Sequence, residues 1–564
     1  MGSIGHPSLD EAAMEMMTMK NGIGIPTPPP SPASEYELSV IKRISKPEYP
    51  IQVYRGPPIA ASEVHQRRLM RWRYNSLEYI PVVVWLIEPN LDRIKEVAKP
   101  YLQYLFPALK DFEVEFLAQG GFNKVYTITA RSERTGEHKA FIFRVAAPVY
   151  PYYGLESEVA TMELVRSSTS VPVPIVYAYG SDPYNPLGYE WMIMEKVNGR
   201  QVYDLWEDWD WDSKLRMTKK VAFWTSQLAN ITSHKIGSIF MRYLDSDLEF
   251  YVGRHVQGIF FNERNLWCEV PRGPFDDLKS YYRASFALQK YENSQWESDA
   301  TQPKADKEIE QKNNDQILMD VDVCSDDLLT PLPLTEDDFY AQADKDDAEF
   351  LNWKGRPPKY FRSVIERIVE YEAALPALLD SAKHKPIDCV MSLSHHDMSL
   401  QNIFADESGN LVALLDWEHI GLEPLHFRTI FPKYLSEGDD MNEEPQRENY
   451  ECVEDYKLDI EDYERGLLRH EFQAELRRLA PVLAEEAWSD RLNYWGQLCS
   501  QLCSVEELAF GPEGNWIKEQ LEPESEEDED GEEQEEGEEE EEEEKEEELT
   551  DEGTVEIEGW IRIN

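Results

Sequence analysis

Runs of alternating apolar and polar residues in the first half of the chain predict strands. Three of them follow one another and are separated by short polar segments. A period of two places successive side chains on opposite faces of a strand. Along the third run, AFIFRV, this alternation puts Ile142 and Arg144 on the same face. The predicted strands are residues 112–117, 125–130, 140–145, 175–179 and 191–194.

Apolar residues spaced three or four apart predict helices elsewhere in the chain. Leu155, Val159 and Met162 form such a stripe, and Pro172 and Pro174 follow it, as expected beyond the end of a helix. The predicted helical segments are residues 67–73, 155–166, 201–291, 360–375 and 456–509. The first of these segments is basic, the third is rich in Trp and Leu, and Pro376 ends the fourth.

Residues 403–415 predict a β-hairpin. A short apolar pair leads into the turn sequence ADESGN, and the apolar run LVALL returns. A cluster of Asp, Ser, Gly and Asn between two apolar runs is typical of a hairpin turn. The hairpin therefore brings Asp416 back beside the polar loop that precedes it, which carries Asp397 and Asn402.

This loop and the end of the hairpin carry the residue types that phosphoryl transfer needs. A carboxylate must orient the attacking hydroxyl and accept its proton, and Mg²⁺ prefers oxygen ligands such as Asp and Asn side chains. Asp397 fits the first role, and Asn402 with Asp416 fits the second. His395 is placed with the catalytic residues as a brace of the loop, although loop histidines are often purely structural. The same stretch also fits a polar surface loop before an ordinary hairpin.

The composition of the chain limits the class of protein to which it can belong. The chain has 564 residues, 41% of them hydrophobic, which is enough to bury a large core. Its net charge is −54, and residues 522–552 alone hold 23 acidic residues and one lysine. Such acidity argues against nucleic-acid binding through a basic surface. The acidic segment either serves solubility alone or binds a basic protein partner.

Cysteine usage and hydropathy bear on the compartment. The six cysteines are scattered and form no CxxC pair, which is typical of a reducing compartment. Residues 1–21 lack the apolar core of a signal peptide, and the longest apolar run, residues 80–87, is too short to span a bilayer. The sequence therefore predicts a cytoplasmic protein without membrane contact, and a nuclear location stays open.

The stretch HHDMSLQN, followed by LLDWE, resembles the catalytic and metal-binding loops of the aminoglycoside phosphotransferase and choline kinase-like family. That family usually has His-Gly-Asp, and here His396 takes the place of the glycine. The segment VPRGPFDDLKSYYRA is similar to one that is common in fungal phosphotransferase members of the family. The resemblance implies an α+β, two-lobed protein kinase-like fold with a small mixed N-lobe and a mainly helical C-lobe.

The resemblance and the composition together predict the domain organisation. The predicted parts are a disordered Pro-rich arm at 1–35, an N-terminal extension at 36–106, an N-lobe at 107–197, a C-lobe at 198–512 with a flexible insertion at 294–347, and a disordered acidic tail at 513–554.

The segment GGFNKVY resembles the short glycine loop of the same family. Glycine lets the backbone approach a ligand closely and point N–H groups at phosphate oxygens. The resemblance assigns nucleotide contacts to Gly120, Gly121 and Asn123. Two glycines in a hairpin also fit a plain turn.

Kinase-like folds need a cation on the following strand to hold the α- and β-phosphates and to pair with a helix glutamate. Strand parity assigns this role to Arg144, and the resemblance makes Glu158 its partner; a surface arginine at a strand end is the alternative. The resemblance also implies that the carbonyl of Glu195 and the N–H of Val197 hold adenine.

The expected function is transfer of the γ-phosphate of ATP, with Mg²⁺, to a hydroxyl of a small molecule. A catalytically inactive pseudokinase that serves as an interaction module is the rival, but Asp397, Asn402 and Asp416 are all intact. A protein-directed kinase is a second alternative, although no Ala-Pro-Glu signature follows Asp416. The nearby acids Glu418 and Glu423 hint at a cationic acceptor.

Overall fold

The computed structural model describes residues 39–45, 51–54, 70–74, 81–182, 185–244, 247–257, 260, 268–301, 329–331, 358–380, 391–427, 430–436 and 443–503. All of them belong to one of the two units of the chain, residues 1–506. The predicted Pro-rich arm and the predicted acidic tail lie outside the described residues, as does most of the predicted insertion.

Helices and strands together form the described part of the chain, which confirms the α+β class. The described strands are β1 (Ser39–Ser45), β2 (Gln52–Val53), β3 (Met70–Tyr74), β4 (Pro81–Trp85), β5 (Ile87–Pro89), β6 (Leu109–Gln119), β7 (Asn123–Ser132), β8 (His138–Ala146), β9 (Val176–Gly180), β10 (Glu190–Glu195), β11 (Arg200–Gln201), β12 (Thr232–Ser233), β13 (Gly237–Leu244), β14 (Asp247–Val252), β15 (Leu329–Pro331), β16 (Met391–Leu393), β17 (Ile403–Ala405), β18 (Leu411–Leu414) and β19 (Gly421–Glu423). The described helices are α1 (Leu91–Leu105), α2 (Tyr153–Ser168), α3 (Trp211–Leu228), α4 (Leu278–Thr301), α5 (Pro358–Leu379), α6 (Lys433–Ser436), α7 (Val453–Leu479), α8 (Pro481–Ala487) and α9 (Asp490–Cys503).

The five strands predicted between residues 112 and 194 join β2 in one six-stranded sheet with the order β2-β9-β10-β8-β7-β6. Neighbours are antiparallel except for the short parallel pair β2 and β9. Phe141, Phe143, Trp191 and Ile193 are fully buried in this sheet. Each predicted strand is present with its ends shifted by a few residues, because periodicity identifies a strand better than it locates the ends.

Helix α1 completes the core of this sheet. Asn90 caps the helix, its Oδ1 accepting from the N–H of Asp92 at 2.9 Å and of Arg93 at 3.1 Å. Ile94 and Leu102 on its apolar face are buried in the same cluster as the sheet residues. The predicted N-terminal extension is therefore not separate from the sheet over its last part, because α1 covers apolar surface that would otherwise face water.

Helix α2 follows β8 directly and is buried on nearly every side. The predicted stripe of Leu155, Val159 and Met162 lies in the core. The acids Glu158 and Glu163 are buried as well, because α2 packs against both β9 and β13. A helix enclosed in this way can place a carboxylate in the interior, where it needs a partner.

A second six-stranded sheet has the order β1-β14-β13-β19-β16-β12 and contradicts the helical prediction for residues 201–291. Helices α3 and α4 lie in that range, but the hairpin β13–β14 separates them. Ile239, Leu248 and Phe250 of the hairpin are fully buried. Branched and aromatic side chains favour a buried strand, and short apolar runs do not distinguish it from a helix.

Three further predictions need correction. The part of the basic helix at 67–73 that is described belongs to strand β3, which pairs with β4. Residues 294–301 of the predicted insertion continue helix α4, where Glu297 pairs with Arg362 of α5. Helix α5 does not end before Pro376 but at Leu379, because the buried Leu375 and Leu378 hold its last turn against the core.

No helix in the described ranges is both long and apolar enough to cross a membrane.

Candidate active site

The predicted hairpin is strands β17 and β18, and its turn is closed by Asp406. Asp406 Oδ1 accepts from the N–H groups of Ser408 and Asn410, both at 2.9 Å. Gly409 has φ +76°, a backbone angle that favours glycine. The N–H of Leu415 then donates to the carbonyl of Asn402 at 2.9 Å. The return strand is thereby fixed to the polar loop that precedes the hairpin.

Asp397 and Asn402 are in direct contact on this loop. The Nδ2 amide of Asn402 donates to the Asp397 carbonyl at 3.0 Å and to Asp397 Oδ2 at 3.1 Å. Asp397 Oδ1 accepts no hydrogen bond from any described residue. The contact leaves the amide oxygen of Asn402 available for other partners, whereas Asp397 Oδ1 is buried and lies 3.3 Å from Lys433 Nζ.

His395 is buried below the loop and binds two backbone groups. Its Nδ1 accepts from the N–H of Asp397 at 3.2 Å, and its Nε2 lies 2.9 Å from the carbonyl of Leu415, to which it donates. Its ring meets the Trp417 ring edge-on at 4.8 Å. Burial lowers the pKa of His395 to about 4, so the ring is neutral at pH 7. The geometry suits the bracing role better than proton transfer.

Asp416 lies just after β18 with φ +65°. Its side chain is exposed, yet protein atoms crowd its carboxylate on the inner side. This partial desolvation, together with the charges of Glu418 and Glu158, raises the pKa of Asp416 to about 7, although Arg144 opposes the change. The charge of Asp397 also raises the pKa of Asp416. The predicted base, metal-ligand and ion-pair positions therefore interact within one site.

Arg144 and Glu158 form a buried, two-pronged ion pair. Arg144 Nη1 donates to Glu158 Oε1 at 2.6 Å, and Nη2 contacts Oε2. Burial by itself lowers the pKa of Arg144, but Glu158, Glu418 and Asp416 outweigh it and raise that pKa. The alternative of a surface arginine is wrong, since only 8% of Arg144 is exposed.

Glu418 joins the glycine loop to the segment after the hairpin. Its Oε2 accepts from Asn123 Nδ2 at 2.9 Å. Burial and the charge of Glu158 raise the pKa of Glu418. Sequence reasoning treated Glu418 only as an acid near the cleft. The signal that points to it is its position two residues after Asp416.

The glycine loop is open above its tip. A Cβ added at Gly121 would meet no atom within 4 Å, and one at Gly120 only the carbonyl of Asn123. Packing therefore does not require either glycine. Asn123 itself is bound to Glu418, so its amide nitrogen is already engaged. A cavity of about 30 Å³, large enough for a water-sized group, lies beneath the loop between Phe122, Arg144 and His419.

The predicted adenine linker leads from β10 into β11, which pairs with β17 of the hairpin. Glu195 ends β10, and its carboxylate accepts from the N–H of Ile175 at 3.3 Å. The N–H of Val197 donates to no described residue. A Cβ at Gly199 would come within 2.8 Å of the Ala405 carbonyl, so only glycine allows this close approach. The linker thus runs along one side of the hairpin that carries the other site residues.

Two groups near Asp397 had no sequence signal. Lys433 Nζ of helix α6 lies 3.3 Å from Asp397 Oδ1. His396 Nε2 lies 3.3 Å from Glu423 Oε2, and Gln257 donates to Glu423 Oε1 at 2.9 Å. Glu423 is 3% exposed, so it serves this polar cluster and does not face the cleft. The Lys433–Asp397 and His396–Glu423 contacts each join separate segments of the chain, so a short sequence motif does not reveal them.

The residues fit a magnesium ion held mainly by its substrate. No group of three or more His, Cys, Asp or Glu side chains among the described residues is arranged to hold a metal ion. Mg²⁺ usually takes only one or two protein oxygens and completes its shell with phosphates and water. The amide oxygen of Asn402 and the Asp416 carboxylate supply such a pair, and a cation would oppose both the desolvation and the neighbouring negative charges that raise the pKa of Asp416.

Comparisons with known proteins give partial matches. No family model matches the chain. A subtelomeric hrmA-associated cluster protein of Aspergillus fumigatus is 28% identical over 174 residues, which are 29% of this chain and 33% of that protein. "Altered inheritance of mitochondria protein 9, mitochondrial" of Lachancea thermotolerans is 25% identical over 190 residues, 29% of each chain. The chain thus spans about a third of the length of these relatives.

Solved structures give matches of wider extent and lower similarity. The ADP-bound aminoglycoside phosphotransferase APH(2″)-Ib is 11% identical, covers 72% of this chain and 98% of its own, and has a TM-score of 0.27. A choline kinase from Cryptosporidium parvum is 14% identical, covers 75% and 99%, and has a TM-score of 0.25. Similarity of this extent assigns neither fold nor function.

Proposed function

We propose that the chain is an ATP-dependent phosphotransferase of two-lobed, kinase-like architecture that acts on a hydroxyl group of a small molecule. The observation that carries the proposal is the convergence of five predicted residues on one site. Asp397 binds Asn402, while the charges of Asp397, Asp416, Glu158 and Arg144 act on one another. A surface loop before an unrelated hairpin gives no reason for this convergence.

In the proposed reaction the acceptor hydroxyl oxygen bonds to the γ-phosphorus as the bond to the β,γ-bridging oxygen breaks. The electron pair of the broken bond leaves with ADP, and the hydroxyl proton passes to Asp397. Oδ2 is the suitable atom, because Oδ1 is buried and a carboxylate oxygen that accepts from the amide of Asn402 can still accept a second hydrogen bond. Since phosphoryl transfer is largely a matter of position and charge, the main task of Asp397 is to orient the hydroxyl.

Asn402 and Asp416 would hold Mg²⁺. When bound, the ion neutralises phosphate charge and fixes the position of the γ-phosphate. Asn402 is oriented for this role because its nitrogen is bound to Asp397, which turns its oxygen the other way. Asp416 carries a charge that its acidic neighbours disfavour, so a cation beside it would restore the ionised form.

The sheet would hold the rest of the nucleotide. Arg144, locked by Glu158, presents a fixed positive charge beside Asp416 and Glu418. The open space above Gly120 and Gly121 admits close approach of a phosphate. The N–H of Val197 is a donor that adenine can use. The acceptor is proposed only as a small molecule with a hydroxyl group.

The test is turnover of Asp397→Asn with ATP, Mg²⁺ and a metabolite library. The substitution keeps the shape of the side chain but removes the proton acceptor, so turnover should fall by about 10²-fold or more. ATP affinity should stay unchanged, because Asp397 is not among the proposed nucleotide ligands. Asp212→Asn, an exposed site in the first turn of α3, is the matched control.

Two outcomes contradict the proposal. Full turnover by Asp397→Asn would remove Asp397 from the reaction. A wild-type protein that binds Mg-ATP tightly, yet transfers phosphate neither to water nor to any library member, would favour the inactive pseudokinase. Transfer only to added proteins would favour a protein-directed kinase.

A further inference from the structure

The catalytic loop has no cation of its own. Residues 395–402 contain neither lysine nor arginine. Arg144 is the assigned cation, but the proposed function already places it on the phosphates that remain with the nucleotide, where Glu158 fixes its guanidinium. Phosphoryl transfer develops charge on the three outer oxygens of the moving group, and enzymes usually place a second positive group there. The proposed reaction therefore lacks one component if only the predicted residues take part.

Lys433 stands where this component is needed. Its Nζ lies 3.3 Å from Asp397 Oδ1, on the carboxylate whose other oxygen, Oδ2, would receive the acceptor hydroxyl. A hydroxyl bonded to that oxygen lies about 2.7 Å away, and a phosphorus in attack position lies about 3 Å beyond the hydroxyl. An ammonium beside Oδ1 is therefore within reach of the oxygens on that phosphorus.

The backbone of Lys433 is held in place although its side chain is exposed. Leu435 of the same short helix is fully buried. The Tyr434 hydroxyl lies 3.2 Å from Thr218 Oγ1 of α3, and Arg469 Nε of α7 donates to the carbonyl of Leu435 at 2.6 Å. The burial of Leu435 and the contacts with α3 and α7 thus fix the point from which the lysine extends toward the loop.

The Lys433–Asp397 pair contributes little to folding. The two side chains are 53% and 39% exposed. Exposed ion pairs contribute about 0–1 kcal/mol to stability. A lysine ammonium carries three donors, so contact with Asp397 leaves two for a ligand. Geometry and exposure both favour a role in binding over a role in stability.

We propose that Lys433 is a catalytic residue whose ammonium binds the outer oxygens of the transferring phosphoryl group. The inference rests on the proposed function and adds a residue to it. Lys433 neutralises charge on the group as it passes from ADP to the acceptor, and exchanges no proton with it. Arg144 and Lys433 then divide the work: the first holds the phosphates that remain with the nucleotide, and the second holds the one that leaves.

Lys433→Met tests this role, because methionine keeps most of the stem and removes the charge. Turnover should fall by about 10²-fold, the usual loss for one transition-state donor. Affinity for Mg-ATP should change by less than about threefold, since a group that acts in the transition state adds little to ground-state binding. Affinity for ADP with magnesium and aluminium fluoride, which mimics the moving phosphoryl group, should fall as far as turnover. Lys433→Arg should recover part of both losses.

The matched control is Lys219→Met. Lys219 Nζ lies 3.0 Å from Glu471, and the two side chains are 44% and 41% exposed, so the pair resembles Lys433–Asp397 but lies between α3 and α7. This variant should keep wild-type turnover and analogue affinity.

The outcomes separate this inference from the proposed function. If the wild type transfers phosphate and binds the analogue tightly while Lys433→Met matches it, the Lys433 role is overturned alone. Equal losses of ATP and analogue affinity also overturn it, because they indicate uniform binding. A wild type that binds Mg-ATP but neither transfers phosphate nor favours the analogue overturns both.

Discussion

Asp416 combines two uncommon properties at one residue. Its φ of +65° lies in the left-handed region, which costs most residues other than glycine about 1 kcal/mol or more but is more tolerable for Asp and Asn. Its pKa is raised to about 7 by crowding and by neighbouring acids. A folded protein retains such a combination where the carboxylate has a task, and we assign that task to cation binding.

Asp416→Asn should therefore reduce the dependence of ATP binding on magnesium. Asparagine also accepts the left-handed backbone, so the fold should persist, but one charged ligand of a hard cation is lost. Calorimetry with ATP should show at least a roughly tenfold weaker affinity with Mg²⁺, about 1.4 kcal/mol, and no change without it. Glu407→Gln, an exposed acid in the hairpin turn, is the control. Equal binding with and without Mg²⁺ in the wild type would remove the metal assignment.

At the residue scale the sequence was informative where one short motif holds the chemistry. The spacing of Asp397, Asn402 and Asp416 within one loop and hairpin predicted a set that lies together. Glu418 and Lys433 were missed for different reasons. The role of Glu418 follows from its hydrogen bond with Asn123, a residue 295 positions away in the chain. The second lies on a separate four-residue helix whose place depends on contacts with α3 and α7.

Among the elements, the β6–β7 loop gives the clearest test of nucleotide binding. Gly121 has open space around its missing Cβ, so Gly121→Ala should leave the melting temperature within about 1 °C of wild type. ATP affinity should fall roughly tenfold, about 1.4 kcal/mol, because the methyl group occupies space meant for phosphate. Titration of both proteins with ATP and a thermal scan measure the two effects.

Gly136→Ala is the opposite control for this loop. Gly136 lies in the β7–β8 turn with φ +74°. Alanine there should destabilise the protein by about 1 kcal/mol and leave ATP affinity unchanged. If Gly121→Ala binds ATP as wild type does, the loop is a plain turn, the alternative reading of its two glycines.

Elements with a clear hydrophobic period were predictable from the sequence. Elements whose conformation depends on tertiary contacts were not. The strands β6 to β10 and helix α2 carry their signals locally. The hairpin β13–β14 was hidden in a range where aromatic and aliphatic residues are dense. Strand β3 was mistaken for a helix because its basic residues suggested a solvated helix face, whereas its pairing with β4 decides its conformation. Tertiary contact overrides local propensity in such segments.

Across the whole molecule, buried histidines predict sensitivity to acid. Burial lowers the pKa values of His255, His395 and His419 to about 4, from an ordinary value of 6.5. The unfolded chain therefore binds these protons more readily than the folded one. The stability contributed by neutral burial is complete above pH 6.5 and is lost as the pH falls toward 4.

His255→Gln isolates one of these contributions. His255 is fully buried, with Glu423 raising and His396 lowering its pKa beside the larger effect of burial. When the pH falls from 7.5 to 5, the free energy of unfolding of the variant should decrease by about 2 kcal/mol less than that of the wild type. Urea titration at both pH values measures the two decreases. His138→Gln, at an exposed site, should follow the wild-type curve. Parallel curves for wild type and His255→Gln would show that His255 does not titrate on unfolding.

The α+β class was implied by the family resemblance and agrees with the described helices and strands, but the predicted division into parts does not agree with them throughout. The boundary at residue 106 came from a resemblance that begins at the sheet. Residues 81–105 nevertheless belong to the core of that sheet, with Trp85 and Leu102 almost fully buried. Whether a segment is an appendage or part of a core depends on long-range packing, which a single sequence does not display.

The placement of α1 also affects synthesis of the protein. The helix leaves the ribosome before strands β6 to β10 of the sheet, and Ile193 of the same core follows Leu102 by about ninety residues. At a typical 5–20 residues per second, the apolar face of α1 waits about 5–20 s for its partners. Throughout this interval the apolar face formed by Ile94, Val97 and Leu102 is not fully covered by its native core.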